Sequence, residues 1–133
     1  RLLDRNSGRR IDFINNVNGG FEVVQEVMDT VADNLLDNAR IKRIQEHDIE
    51  IKVVFDKTDI GFKFSVEDSG WIIPERIAEH LFKEAVDSEH GLGIGLYQSA
   101  KQAQKYGYEL SIGENEKGKV RLELVVPGNG ADY

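Results

Sequence analysis

The sequence has no cysteine, which excludes a disulfide framework and any thiolate metal site. No stretch is long and apolar enough to span a membrane, and no signal peptide is visible. Cationic charge is in short supply. Seventeen Lys and Arg stand against 24 Asp and Glu, a net charge of -7, which argues against unspecific binding to nucleic acid or to an anionic membrane. Any phosphate binding must therefore come from backbone N–H groups, a metal or a few local cations. Proline occurs only twice, as Pro74 and Pro127.

What is present suits one soluble domain. At 133 residues the chain is long enough for a single core, and 40% hydrophobic with 31% charged residues is an ordinary globular balance. It begins at Arg1 without a methionine and so reads as a piece of a longer protein. Residues 1–8 are expected to be a linker or the end of a helical dimerisation segment closing at Gly8, with the domain proper at 9–133.

The chain is organised around residues 27–43, V-M-D-T-V-A-D-N-L-L-D-N-A-R-I-K-R. Val27, Val31 and Leu35 recur at helical spacing, with Val24, Met28 and Ala39 close by, predicting a helix from about Glu22 to Gln45. Asn34 and Asn38 continue that row, so both amides are expected on the buried face. An unpaired amide there costs about 1–3 kcal/mol, so both need partners. They can bond the backbone of a facing layer, or two amide oxygens one turn apart can converge on a hard cation such as Mg²⁺.

Ahead of this helix, R-R-I-D-F-I-N at 9–15 reads as a short strand. Beyond it, Ile49, Ile51, Val53 and Phe55 alternate with polar neighbours, as do Ile60, Phe62, Phe64 and Val66, and D-K-T-D turns between them. The phase of the second run puts Asp68 on the core side. Pro74 suits the first turn of a helix reaching about Phe82. A polar loop over 85–90 precedes G-L-G-I-G-L and a helix from Ile94 to Tyr106, capped by Gly107. Two strands finish the domain, carrying Tyr108, Leu110 and Ile112, then Val120, Leu122, Leu124 and Val126, with E-N-E-K-G as their turn and Pro127 as their end. The expected fold is α+β, a two-layer α/β sandwich whose mixed, mostly antiparallel sheet is covered on one face by helices.

Two further features carry chemistry. Asp68 is an inward carboxylate followed by Ser69-Gly70; it can cap a turn, or accept a hydrogen bond from an exocyclic amino group while Gly70 admits a ligand to the backbone. Gly91, Gly93 and Gly95 open a helix whose free N–H groups suit phosphates, though no strand precedes them as a dinucleotide fingerprint requires.

Together these pieces resemble the GHKL ATPase superfamily, which includes DNA gyrase, a heat-shock chaperone, sensor histidine kinases and a mismatch-repair protein. N-L-L-D-N-A at 34–39 is similar to its N box, V-E-D-S-G at 66–70 to its G1 box, L-F-K-E at 81–84 to its F box and G-L-G-I-G-L at 91–96 to its G2 box. The resemblance implies the Bergerat fold, with ATP and Mg²⁺ as cofactors. It implies that Asn38, with Asn34 beside it, holds Mg²⁺ and that Asp68 reads the adenine amino group. Gly70 and Ile73 then line the pocket, and Gly91, Leu92, Gly93, Gly95 and Leu96 form the lid over the phosphates. Asn34 stands where the hydrolysing branches carry a proton-accepting glutamate, so the chain is similar to the histidine kinase branch, in which a neutral imidazole needs no base.

The sequence also departs from the family pattern. Ile72 replaces the second glycine of the G1 box, between Trp71 and Ile73, which stiffens the turn and makes the pocket floor more apolar. Ile41 replaces a phosphate-binding Lys or Arg, leaving Arg40, Lys42 or Arg43 for that task, and Val120 and Arg121 stand where a threonine is usual. His47, His80 and His90 all read as ordinary histidines rather than phosphoacceptors. The expected function is γ-phosphoryl transfer from Mg-ATP to a histidine in a separate dimerisation domain of the parent sensor kinase. The other expected partner is a response regulator, and no nucleic acid is involved. The domain itself is expected to be cytoplasmic and not membrane-embedded, whether or not the parent is anchored in the bacterial inner membrane. The alternatives are a degenerate nucleotide-binding or regulatory module, and a water-activating ATPase or serine kinase, which Asn34 disfavours.

Overall fold

The computed structural model describes residues 3–4, 9–17, 23–84 and 92–128. Its elements are β1 (Leu3–Asp4), β2 (Arg9–Asn15), α1 (Gln25–Gln45), β3 (Ile51–Lys57), β4 (Gly61–Asp68), α2 (Glu75–Ala78), α3 (Leu92–Gln104), β5 (Glu109–Glu116) and β6 (Lys119–Pro127). The six strands form one sheet in the order β1-β2-β3-β4-β6-β5. Only β2 and β3 run parallel, because α1 lies between them in the chain and carries it back across the sheet. The other pairs are antiparallel, as expected of a mixed, mostly antiparallel sheet.

The helices cover one face of the sheet. From α1 the buried row is Val27, Val31, Leu35 and Ala39, joined by Met28 and Arg43. It meets Ile51, Val53, Phe64, Val66, Leu122 and Leu124 in one hydrophobic cluster. Strand β6 alternates cleanly, with Val120, Leu122, Leu124 and Val126 inward, as its period of two predicts. Helix α3 adds Leu96, Ala100 and Ala103, and its small alanines let it lie close beside α1. The start of α1 has no side-chain cap; instead the Val24 N–H donates to the Tyr108 hydroxyl at 2.9 Å.

Several boundaries differ from the sequence reading. Leu3–Asp4, expected as linker or helix end, pairs antiparallel with Arg9 and Arg10. Helix α2 ends at Ala78 rather than near Phe82; turns follow, with Phe82 at a φ of 73°. Buried Leu81 and Phe82 fold back into the core there, and that contact outweighs helix continuation. The β5–β6 turn is only Lys117-Gly118, with Gly118 at a φ of 86°, so the polar E-N-E run is strand rather than turn. Helix α3 begins at Leu92 and ends at Gln104, two residues early at each end; a turn carries the chain on to Gly107 at a φ of 82°. Ile60 is exposed and precedes β4, whose inward set starts at Phe62. The polar loop at 85–90, Gly91 and the segment at 18–22 lie outside the described residues.

Candidate functional site

The site is built where the end of β4 meets α1. Asp68 pairs in register with Ile51 on β3 and Val120 on β6, so the sheet holds it from both sides. It is 3% exposed and faces the helical layer, as the strand phase predicts. Its Oδ1 accepts the Gly70 N–H at 2.9 Å, which is the turn-capping role. That bond leaves most of the carboxylate's acceptor capacity for other groups, since an ionised carboxylate offers about four acceptor positions.

Lys42 uses part of that capacity. Its Nζ lies 2.9 Å from Asp68 Oδ1 and also donates to the Trp71 carbonyl. The lysine stem runs past Gly70, where an added Cβ would stand 2.9 Å from Lys42 Cε and 3.0 Å from the Glu46 carboxylate. Gly70 is therefore needed for close approach, and what approaches it within the chain is Lys42 and Glu46. Glu46 in turn accepts the Trp71 N–H. Lys42, expected as a phosphate contact, is thus drawn to the Asp68 end of the site.

The asparagines lie one position off the buried row. Val31, Leu35 and Ala39 face the sheet, whereas Asn34, Asn38 and Lys42 form the adjacent row and are only half-buried. Placing both amides on the fully buried face was a misreading by about 100°, the step of one residue around a helix. Asn34 Nδ2 donates to Ser99 Oγ and, at 3.4 Å, to the Gly95 carbonyl, so its amide joins α1 to α3. This is the backbone-and-neighbour partnership, made by the amide nitrogen. The Asn38 side chain hydrogen-bonds no other described residue. Arg43, another expected phosphate contact, is 5% exposed on the sheet-facing side, off the row that carries Asn38.

The lid residues are placed differently from a loop. Gly93 and Gly95 fall in the first turns of α3, which starts at Leu92. Leu96 packs into the core. An added Cβ on Gly95 would meet Asn34 Oδ1 at 3.6 Å, an ordinary contact. Across the G1 turn, Trp71 is 64% exposed and Ile72 is exposed beside it, while half-buried Ile73 packs on the core. Asn115 clamps Ile73, accepting its N–H at 2.8 Å and donating to its carbonyl at 3.0 Å.

Arg121, in the place of the usual threonine, works elsewhere. Burial acts to lower its pKa, but its hydrogen bond to Glu123 and the charges of Glu123, Glu114 and Glu67 outweigh this and hold it raised. It is fully charged and tied to the outer face of the sheet. His80 pairs with Glu84 at 2.7 Å, and His47 is exposed beyond α1, both ordinary surface roles.

Sequence reading missed Ser99, Glu46 and Asn115. Only Ser99 left a signal, since it lies three residues after Leu96 and four before Ala103, on an otherwise apolar face. Among the described residues, no group of three or more His, Asp or Glu is placed to hold a metal. Mg²⁺ keeps several waters and is usually held by one or two protein carboxylates with a ligand's phosphate oxygens; the Asn38 amide offers an oxygen donor without the usual charge.

Comparison with known proteins agrees with the fold. Residues 23–129 match the family described as histidine kinase-, DNA gyrase B-, and HSP90-like ATPase. The sensor protein CitS of Halalkalibacterium halodurans is 32% identical over 111 residues, covering 80% of this chain and 21% of that protein. The chain thus spans about a fifth of that relative's length. Among solved structures, the nucleotide-free catalytic domain of histidine kinase ThkA superposes with a TM-score of 0.75 at 22% identity, covering 93% of this chain and 81% of that one. The mycobacterial sensor histidine kinase MprB gives 0.71 at 20% identity, covering 96% and 89%. Full-length ShkA in complex with AMPPNP gives 0.75 at 16% identity, covering 90% and 26%.

Proposed function

The chain belongs to the histidine kinase-, DNA gyrase B-, and HSP90-like ATPase family, and on that premise we propose that it binds Mg-ATP and presents the γ-phosphate to a histidine on a separate dimerisation domain of a parent sensor kinase. The observation that carries this reading is Asp68, a buried carboxylate at the end of a central strand, facing the helical layer beside a glycine turn. A carboxylate there accepts the adenine amino group. Ile73 supplies an apolar floor held in place by Asn115. The residue suited to the metal is Asn38, whose half-buried amide bonds no other described residue. Mg²⁺ held there would neutralise the charge of the phosphates.

The α3 start supplies backbone N–H groups for the phosphates, a role suited to a chain with few cations. Asn34 holds α3 against α1 and cannot take a proton, so the site has no base there to activate water. Transfer to an imidazole needs none. The response regulator and the cytoplasmic setting belong to this same reading. No helix among the described residues is long and apolar enough to cross a membrane.

The test is phosphorylation of the intact parent protein with γ-labelled ATP. The reading expects an acid-labile, base-stable label on protein, lost in Asn38→Ala; label appearing only as free phosphate contradicts it. A regulatory module with little catalysis is the second reading. It is favoured by the exposed Trp71 and Ile72 in place of a flexible glycine turn, and complete absence of label would support it.

A further inference from the structure

The strands that flank Asp68 bring no polar side chain to it. Its register neighbours, Ile51 and Val120, are both apolar and buried. The side-chain donor set against the carboxylate comes from α1 instead: Lys42 Nζ, 2.9 Å from Asp68 Oδ1 and also bonded to the Trp71 carbonyl. An ammonium has three N–H donors and no acceptor, so these two bonds leave it one donor. The Lys42 side chain is only 17% exposed and its stem lies over Gly70, so that donor is kept at the site rather than spread through solvent. The Gly70 N–H meets the same Asp68 oxygen as Lys42, which makes Oδ2 the oxygen offered to a ligand.

An acceptor with a donor fixed beside it fits only one order of groups on a ligand: a donor with an acceptor next to it. Adenine presents that order, because its 6-amino group is flanked by ring nitrogens that carry lone pairs. The position of Lys42 selects between those nitrogens. Asn38, the residue proposed for the metal, precedes Lys42 by one turn on the same row of α1. With the phosphates at Asn38, Lys42 meets the edge of the base remote from the ribose, and the nitrogen on that edge is N1. Resting on the reading that this site binds ATP, we propose that Lys42 is a specificity-determining residue: its ammonium donates to N1 of adenine while Asp68 accepts the 6-amino group.

The experiment compares ATP with 1-deaza-ATP, in which a C–H replaces N1 and the 6-amino group stays, by titration calorimetry on the wild-type chain and on Lys42→Met. Methionine keeps an unbranched stem over Gly70 and removes the donor, and thermal melting checks that the variant folds. The wild type is expected to bind 1-deaza-ATP more than about tenfold more weakly than ATP, because a hydrogen bond from a charged donor is lost. Lys42→Met is expected to bind ATP more weakly than the wild type and to bind the two nucleotides alike, within about threefold. Equal wild-type affinities for ATP and 1-deaza-ATP overturn the proposal, and that comparison decides even where the variant fails to fold. A preference for ATP that survives unchanged in Lys42→Met overturns it too, since another group then reads N1. So does tighter ATP binding by Lys42→Met, which would make Lys42 an occupant of the pocket. If the wild type binds neither nucleotide, the nucleotide reading itself fails; if it binds ATP but any of these contrary results appears, only the role of Lys42 fails.

Discussion

At the scale of residues, the row Asn34, Asn38 and Lys42 divides three tasks along one helix. Asn34 ties α1 to α3, Asn38 is the residue proposed for the metal, and Lys42 stands with Asp68. Asn38→Ala is expected to abolish the Mg²⁺ dependence of ATP binding while sparing adenosine, because adenosine has no phosphates for a metal held by Asn38 to meet; equal losses for ATP and adenosine in calorimetry would make Asn38 a packing residue. Asn34→Glu replaces a donor to the Gly95 carbonyl with a carboxylate, so the α1–α3 contact should weaken by about 1–3 kcal/mol, read as a lower melting temperature. The same variant places a proton acceptor near the γ-phosphate and should show slow phosphate release where the wild type shows almost none. Brisk release from purified wild-type chain would move it to the hydrolysing branch.

At the scale of elements, what could be read from sequence was what repeats. Helix α1 and the inward faces of β4 and β6 follow from periods of 3.6 and two, and the β4 phase alone turned Asp68 toward the helices. Boundaries governed by long-range contacts could not be read. Nothing local says that α2 stops at Ala78, since the reason is Leu81 and Phe82 reaching the core. Gly93 falls outside the helix expected from Ile94, since glycine's helix propensity is poor, yet packing of α3 on α1 carries it into helix. Lys42 was legible as a cation near the site, but its partner was not, because the pairing joins a helix to a strand end far along the chain. The sheet face is where stability is concentrated: Leu124, fully buried on β6 between β4 and β5, should cost about 2–5 kcal/mol as Leu124→Ala in denaturant unfolding. A loss below about 1 kcal/mol would mean that the helical layer does not press on β6.

At the scale of the whole molecule, an acidic chain with few local cations can hold a nucleotide only by reading the base and sharing the phosphate charge with a metal and backbone N–H groups. That division makes Asp68 the anchor of the account, because it is the one charged side chain set into the sheet to face the helical layer at this site. The direct test is titration of Mg-ATP into the wild-type chain and into Asp68→Asn, with thermal melting of both. One-to-one binding by the wild type, weakened more than about tenfold in Asp68→Asn with folding preserved, is the predicted result, since a hydrogen bond to a charged group is worth about 1.5–3 kcal/mol. Equal ATP affinity in the two proteins would contradict it.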